Sequence, residues 1–217
     1  MNHRTYKDVD GIRIEYAERG ARIRTRLQEF ASVPASGYFY ELAYCLLTPQ
    51  SSAVNADAAI ARLKTMKFRE EGGDPAGILR QPDSYIRFHN TKARRLLTVR
   101  ETFTEHATRL ARTPASSSAE DVQQLRTWFV AHVNGLGMKE ASHFLRNIGY
   151  RGLAILDRHI LRNLKLHGVV RTLPATLTTA RYIDIEARFR RFAEDVQIDM
   201  DELDLLFWSR ETGEIRK

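Results

Sequence analysis

The sequence predicts an all-α fold, and three observations carry that expectation. Apolar residues recur at helical spacing along most of the chain. Alternating strand patterns are almost absent, and breaks at Pro49, Gly72-Gly73-Asp74-Pro75, Pro82, Pro114 and Pro174 cut the periodic runs into separate segments. The chain has 217 residues, 43% of them hydrophobic, enough for one domain or two small lobes with a real core.

The first helix is expected near 14–32 and the second near 36–47, where the apolar run Tyr38 to Leu47 holds the single cysteine, Cys45, as a small core residue. Pro49 stops that run, and Ser51 is placed to cap a third helix near 51–66. Beyond the glycine and proline breaks, Asn90 reads as the cap of a long helix near 90–112, which Thr113-Pro114 ends. Ser118, with Asp121 at the capping-box offset, opens a helix near 118–133, and a partner follows near 138–148. Three more helices are expected near 157–167, 179–197 and 199–210. No internal repeat is visible, and the only low-complexity tract is Ser116 to Ser118.

The chemistry concentrates between residues 133 and 168. Asn134-Gly135-Leu136-Gly137 breaks one helical run, and periodicity resumes through Met138, Ala141, Phe144, Leu145 and Ile148. Two helices joined by so tight a glycine turn make a helix-hairpin-helix, here over about 118–148. The amides of Gly135 to Lys139 then sit at a helix N-terminus, where free donors and the dipole favour a phosphate. Such a contact positions a duplex but reads no sequence.

Lys139 stands in the first turn of the second helix, where the macrodipole disfavours a cation. Either it is a surface lysine that also touches a phosphate, or it is a shielded amine. In the second case desolvation and the dipole lower its pKa so that it attacks as the neutral base. The residue alone does not decide between them. Asp157 follows the apolar stretch Leu153 to Leu156 and precedes Ile160, Leu161 and Leu164, so it is a natural N-cap. A capping carboxylate is held rigidly and kept ionised by amides. It can therefore stabilise the positive charge that grows on a deoxyribose as its base departs.

The hairpin NGLGMKEASHFLRN, followed by LAILDRHILRNL, resembles the helix-hairpin-helix DNA glycosylase superfamily, and within it the type 2 8-oxoguanine DNA glycosylase/AP lyases. In the bifunctional members of that superfamily the catalytic lysine lies just after the hairpin and an aspartate 18 residues later, which is the spacing from Lys139 to Asp157. The segments LLTPQSSA at 46–53, YIRFHNTKARRL at 85–96 and ELDLLFWSRETGEIRK at 202–217 carry the narrower assignment. The similarity therefore reaches across nearly the whole chain.

The resemblance implies a helix-hairpin-helix DNA glycosylase fold of two helical lobes, with the active site in the cleft between them. One lobe is expected from 1–50 and 151–217, the other from 51–150. It implies excision of 8-oxoguanine from duplex DNA through a Schiff base on Lys139, aided by Asp157, and then strand cutting by β-elimination. Trp208 and the terminal Lys217 are implied to face the extruded base, together with Phe88. An indole offers a stacking face, and a chain end offers both a carboxylate and an ammonium. The lesion donates a hydrogen at N7 where guanine only accepts, so one acceptor separates the two bases. Asn134, Gly135 and Gly137 are the expected hairpin contacts to DNA. Gln50, Ser51, Arg87, Phe88, His89 and Asn90 are candidates for the gap left by the extruded base and for the orphaned opposite base, with Phe88 as an apolar wedge among hydrogen-bonding groups. Arg146, Arg151, Arg158 and Arg162 are expected to add phosphate contacts.

Composition agrees with this and excludes other classes. Thirty-four Lys+Arg against 27 Asp+Glu give a net charge of +7 and a pI near 9.7, which suits a polyanionic partner without proving one. One cysteine rules out an intrachain disulfide and a four-cysteine iron-sulfur cluster. No metal site or required cofactor is expected, although glycine-turn carbonyls in the hairpin could hold an alkali cation. His132, His143, His159 and His167 read as core, capping or phosphate-facing residues. No apolar run approaches bilayer length and MNHRTYKDVD lacks a signal-peptide pattern, so a soluble, intracellular protein is expected, and with the resemblance a cytoplasmic, nucleoid-associated monomer. Two other readings stand beside the first: a non-catalytic helix-hairpin-helix module, and a glycosylase of the same superfamily acting on another lesion, such as an oxidised pyrimidine.

Overall fold

The computed structural model describes residues 6–215, so the expectation for Lys217 lies outside the described residues. Among the described residues the chain forms eleven α-helices, two short 3-10 turns and no strand. It divides into two compact units, Val33–Ile148 and the combination of Met1–Ser32 with Gly149–Lys217.

The central unit contains α2 (Tyr38–Leu47), α3 (Ala53–Thr65), α4 (Phe68–Glu71), α5 (Pro75–Leu79), α6 (His89–Arg112), α7 (Ala119–His132) and α8 (Met138–Asn147). Every residue of α2 from Phe39 to Leu47 is buried, Cys45 included. A helix covered on all sides sits at the centre of its unit, and α2 packs on α3, α6 and α8. This corrects the expected lobe boundary at residue 50. The chain changes unit at 32/33, before α2, because the apolar surface of α2 belongs to the helices that follow it.

The terminal unit contains α1 (Val9–Ala31), α9 (Arg158–Leu166), α10 (Thr179–Val196) and α11 (Met200–Thr212). Here α11 is the common partner, packing on α1, α9 and α10. Phe189 and Phe207 stack in its interior, and the His167 ring lies parallel to Phe207 at 5.4 Å. The chain enters this unit at Gly149, whose φ is +95° and where a Cβ would come within 2.8 Å of the Ala31 backbone. Only glycine meets both conditions.

Local signals explain where expectation and structure part. Helix α1 begins at Val9 rather than near 14, since Ile12 already opens its buried stripe. Helices α4 and α5 span four and five residues, too short to show a period, although Asp74 caps α5 through the Ala76 amide and Pro75 follows it. Ser52, not Ser51, caps α3, and Phe88, not Asn90, precedes α6. Ser118 caps α7 as expected, accepting from the Asp121 amide at 3.1 Å. Among the described residues no helix is long and apolar enough to cross a membrane.

Candidate active site

Helices α7 and α8 are joined by residues 133–137. The Leu136 amide donates to the Val133 carbonyl at 3.1 Å, closing a turn in which Gly135 has φ +92°. A Cβ at 135 would lie 2.5 Å from the Arg95 guanidinium, so the glycine serves both the turn and the close seat of that arginine. Gly137 is the N-cap of α8. It has no side chain to bond the first-turn amides, which stay open to an anion. Glu140 supplies the reciprocal half of a capping box, its Oε2 accepting from the Gly137 amide at 3.2 Å. Its other oxygen, Oε1, lies 3.2 Å from Lys139 Nζ. One carboxylate thus closes the helix start and offsets the cation placed there. The Lys139 side chain is 30% exposed, neither sealed in the core nor free in solvent.

Asp157 caps α9, with Oδ1 accepting from the His159 and Ile160 amides at 2.8 Å each. Its Oδ2 has no hydrogen-bond partner among the described residues. The segment before it, Gly152 to Leu156, lies outside any helix, and side chains serve its backbone in place of a neighbouring strand. The Gly152 amide donates to Asp201 (2.8 Å), Ala154 to Glu186 (2.8 Å), Ile155 to Asp204 (3.2 Å) and Leu156 to the Tyr182 hydroxyl (3.1 Å). That hydroxyl donates in turn to the Ala154 carbonyl at 2.6 Å, and Arg190 donates to the Gly152 carbonyl at 2.9 Å. The three carboxylates are 3% exposed or less. Each of these buried acceptors takes an amide that has no strand to bond, so α10 and α11 hold the approach to Asp157. Sequence reasoning missed this ladder; its signal is acidic residues on otherwise apolar helix faces.

A third group lies on the central unit. Thr48 to Ser51 form a turn, with Pro49 in second place and Gln50 at φ +56°, where glycine is the unstrained choice. Phe88 is also left-handed, at φ +60°, and is 53% exposed, with the Arg87 guanidinium 4.9 Å over its ring. Such backbone costs about 1–3 kcal/mol per residue and persists only where the surroundings enforce it. The two turns are tied. The Arg87 amide donates to Ser51 Oγ at 3.0 Å, and Asn55 donates to the Tyr85 carbonyl at 3.0 Å. Ser51 is therefore a bridge between loops rather than a helix cap. Asn90 is exposed in the first turn of α6. The His89 ring meets Tyr85 edge-on at 5.9 Å, and its buried Nδ1 has no hydrogen-bond partner among the described residues.

Lys92 also converges on Ser51. Its buried Nζ donates to the Leu47 carbonyl (2.7 Å), the Pro49 carbonyl (2.6 Å) and Ser51 Oγ (3.3 Å). Burial first, then Arg95 and Lys139, push its pKa down to about 8 against the opposing pull of Glu140. In the sequence it reads as one more cation in TKARR.

The remaining expected residues divide. Asn134 is exposed at the hairpin tip, and Trp208 is half-buried on α11 in the terminal unit. Arg146 is 4% exposed, which corrects its expected place on a phosphate. It lies on the face of α8 that packs against α2, where Asn147 donates to the Glu41 carboxylate at 3.1 Å. Arg151 is taken up by Asp199 (3.1 Å) and Asp201 (3.3 Å). Arg158 and Arg162 are exposed. Of the histidines, His143 and His167 are buried, His132 stacks on Trp128 at 4.2 Å, and His159 pairs with Glu211 at 3.2 Å.

An all-helical chain with a glycine hairpin that ends in a half-shielded lysine, and with a capping aspartate 18 residues on, has the helix-hairpin-helix DNA glycosylase fold. The sequence profile of the 8-oxoguanine DNA glycosylase family matches residues 23–198, and the chain belongs to that family. Over 207 residues it is 40% identical to the 8-oxoguanine DNA glycosylase/AP lyase of Fusobacterium nucleatum, covering 93% of this chain and 94% of that one. The crystal structure of the 8-oxoguanine DNA glycosylase of Thermotoga maritima matches with a TM-score of 0.82 at 27% identity, over 96% of this chain and 98% of that one. The Methanocaldococcus jannaschii 8-oxoguanine glycosylase/lyase, in complex with a 15mer DNA containing 8-oxoguanine, matches with a TM-score of 0.81 at 29% identity, over 96% and 99%.

Proposed function

We propose that this chain excises 8-oxoguanine from duplex DNA and then cuts the abasic strand by β-elimination. The observation that carries this reading is Lys139, held half-shielded at the head of α8 directly behind an anion-accepting hairpin. Hairpin amides around Gly135 and Gly137, with Asn134 beside them, grip the backbone. Gln50 and Phe88 enter the duplex as the nucleotide swings out, while Ser51, Arg87, His89 and Asn90 face the gap and the orphaned base. An ammonium is no nucleophile, so as the ion pair with Glu140 opens Lys139 gives a proton to solvent, and the neutral amine attacks C1′. Asp157 stabilises the oxocarbenium-like transition state as the base departs with the electron pair of its glycosidic bond; the C1′–O4′ bond of the resulting aminal then opens, O4′ taking up a proton, to leave a protonated imine on Lys139. Loss of a C2′ proton then expels the 3′ phosphate. Trp208 offers the extruded purine a stacking face, and Lys217 offers its polar groups to the N7 and C8 edge. The working form is a monomer that needs no cofactor, with an alkali cation at the hairpin carbonyls as an optional ligand and the cytoplasmic nucleoid as its place of work.

Matched duplexes bearing 8-oxoguanine, thymine glycol, uracil or an A·G mispair test the reading. Strand cutting is expected with 8-oxoguanine, and borohydride should trap a covalent adduct that Lys139→Gln abolishes. Cutting only at thymine glycol would move the lesion class, and a Lys139→Gln protein that still trapped would remove the nucleophile.

A further inference from the structure

Lys92 takes no part in the chemistry above, yet it lies 3% exposed near the start of α6 with every donor engaged. An ammonium has three hydrogens, and Leu47 O, Pro49 O and Ser51 Oγ take all three. It is therefore no second nucleophile. All three acceptors belong to the end of α2 and the turn that carries Gln50. The Leu47 carbonyl closes a helix, where carbonyls lack partners within the helix and a cation is favoured. Lys92 itself stands in the first turn of α6, and its amide ties it to Phe88 by donating to the Phe88 carbonyl at 3.0 Å. Ser51 Oγ completes the link by accepting from the Arg87 amide as well.

We infer that Lys92 is the positioning residue that locks the two left-handed turns together, so that Gln50 and Phe88 enter the duplex as one rigid wedge. Both residues hold strained backbone on exposed positions, and such backbone relaxes when its supports go. A buried cation costs stability relative to an apolar chain of the same length, and here burial presses the amine towards its neutral form. Methionine would fill the space without that cost. It cannot hold three acceptors.

The inference rests on the glycosylase reading, and its test separates the two. Wild type, Lys92→Met and Ser51→Ala are compared on a duplex with 8-oxoguanine beside 2-aminopurine, and on a single strand carrying a preformed abasic site. In the wild type, binding should raise 2-aminopurine fluorescence and excision should follow. Lys92→Met should lose the fluorescence rise and about 10²-fold in duplex excision, the scale on which a misplaced group costs rate. Its β-elimination at the single-stranded abasic site, which needs no wedge, should fall far less. A folded Lys92→Met that excises normally, or that loses both activities equally, overturns the inference. If circular dichroism shows that variant unfolded, Ser51→Ala decides, because the same split at smaller amplitude is expected and its absence overturns the tie. A wild type that cuts the abasic strand but leaves 8-oxoguanine in place refutes the assigned lesion, and with it the wedge.

Discussion

Asp157 divides its carboxylate between two tasks. Oδ1 closes the start of α9, while Oδ2 keeps no partner among the described residues and remains available to a developing positive charge. Asparagine caps a helix about as well as aspartate, so Asp157→Asn should fold and bind damaged duplex normally in a gel-shift assay. Single-turnover excision should nonetheless fall by about 10²–10³-fold, the cost of removing a preorganised electrostatic group; an unchanged rate would strip Asp157 of its role. The places of Lys139 and Asp157 in the fold were legible in the sequence because local pattern fixes them: one follows a glycine hairpin, the other stands where an apolar stretch gives way to helical spacing. Lys92, Glu186, Asp201 and Asp204 were not, because sequence displays charge but not depth, and all four are buried against backbone distant in the chain. Ser51 was misread for a related reason. Capping statistics are local, and its hydroxyl is claimed by residues 36 and 41 positions away.

At the scale of elements, the hairpin concentrates more constraint in five residues than the helices on either side. Gly135 holds φ +92°, and a Cβ there would displace the Arg95 guanidinium. Gly135→Ala should destabilise the protein by about 1–2 kcal/mol, the cost of left-handed backbone for an L-residue, measurable as a lower urea midpoint. It should also weaken DNA binding at all sequences alike and flatten the salt dependence by about one phosphate. A variant with unaltered affinity and slope would mean that the hairpin does not touch the strand. The long helices were visible through their periods, whereas α4 and α5 offered only Asp74-Pro75 as a sign. Helix α2 was seen but put in the wrong unit, because a run buried on every side has no face to say what covers it.

For the whole molecule, a buried imidazole that resists protonation is found in each unit among the described residues. Desolvation lowers the pKa of His106 in the central unit, with His132 adding to it and Glu105 opposing. In the terminal unit burial again dominates for His167, and Arg210, whose guanidinium donates to Nε2 at 2.9 Å, adds to it, while the Lys7 carbonyl, Asp8 and Glu15 oppose. A folded pKa below the unfolded value near 6.5 means that the unfolded chain takes up the proton first. These groups therefore favour the folded state fully above about pH 6.5 and progressively less as the pH falls through their folded values. Urea midpoints should drop between pH 7.5 and 5, and His167→Gln should blunt that drop. Equal pH dependence in the variant would assign the loss to other groups. The carboxylate ladder has a consequence for the order in which the enzyme becomes active during its own synthesis. The hairpin and Lys139 leave the ribosome before Tyr182, Glu186, Asp201 and Asp204 exist, so the growing chain acquires a means of touching DNA before anything holds the approach to Asp157. On the roles proposed above, a product cut off before residue 182 would touch DNA without that support for Asp157, and so without the group that drives base excision.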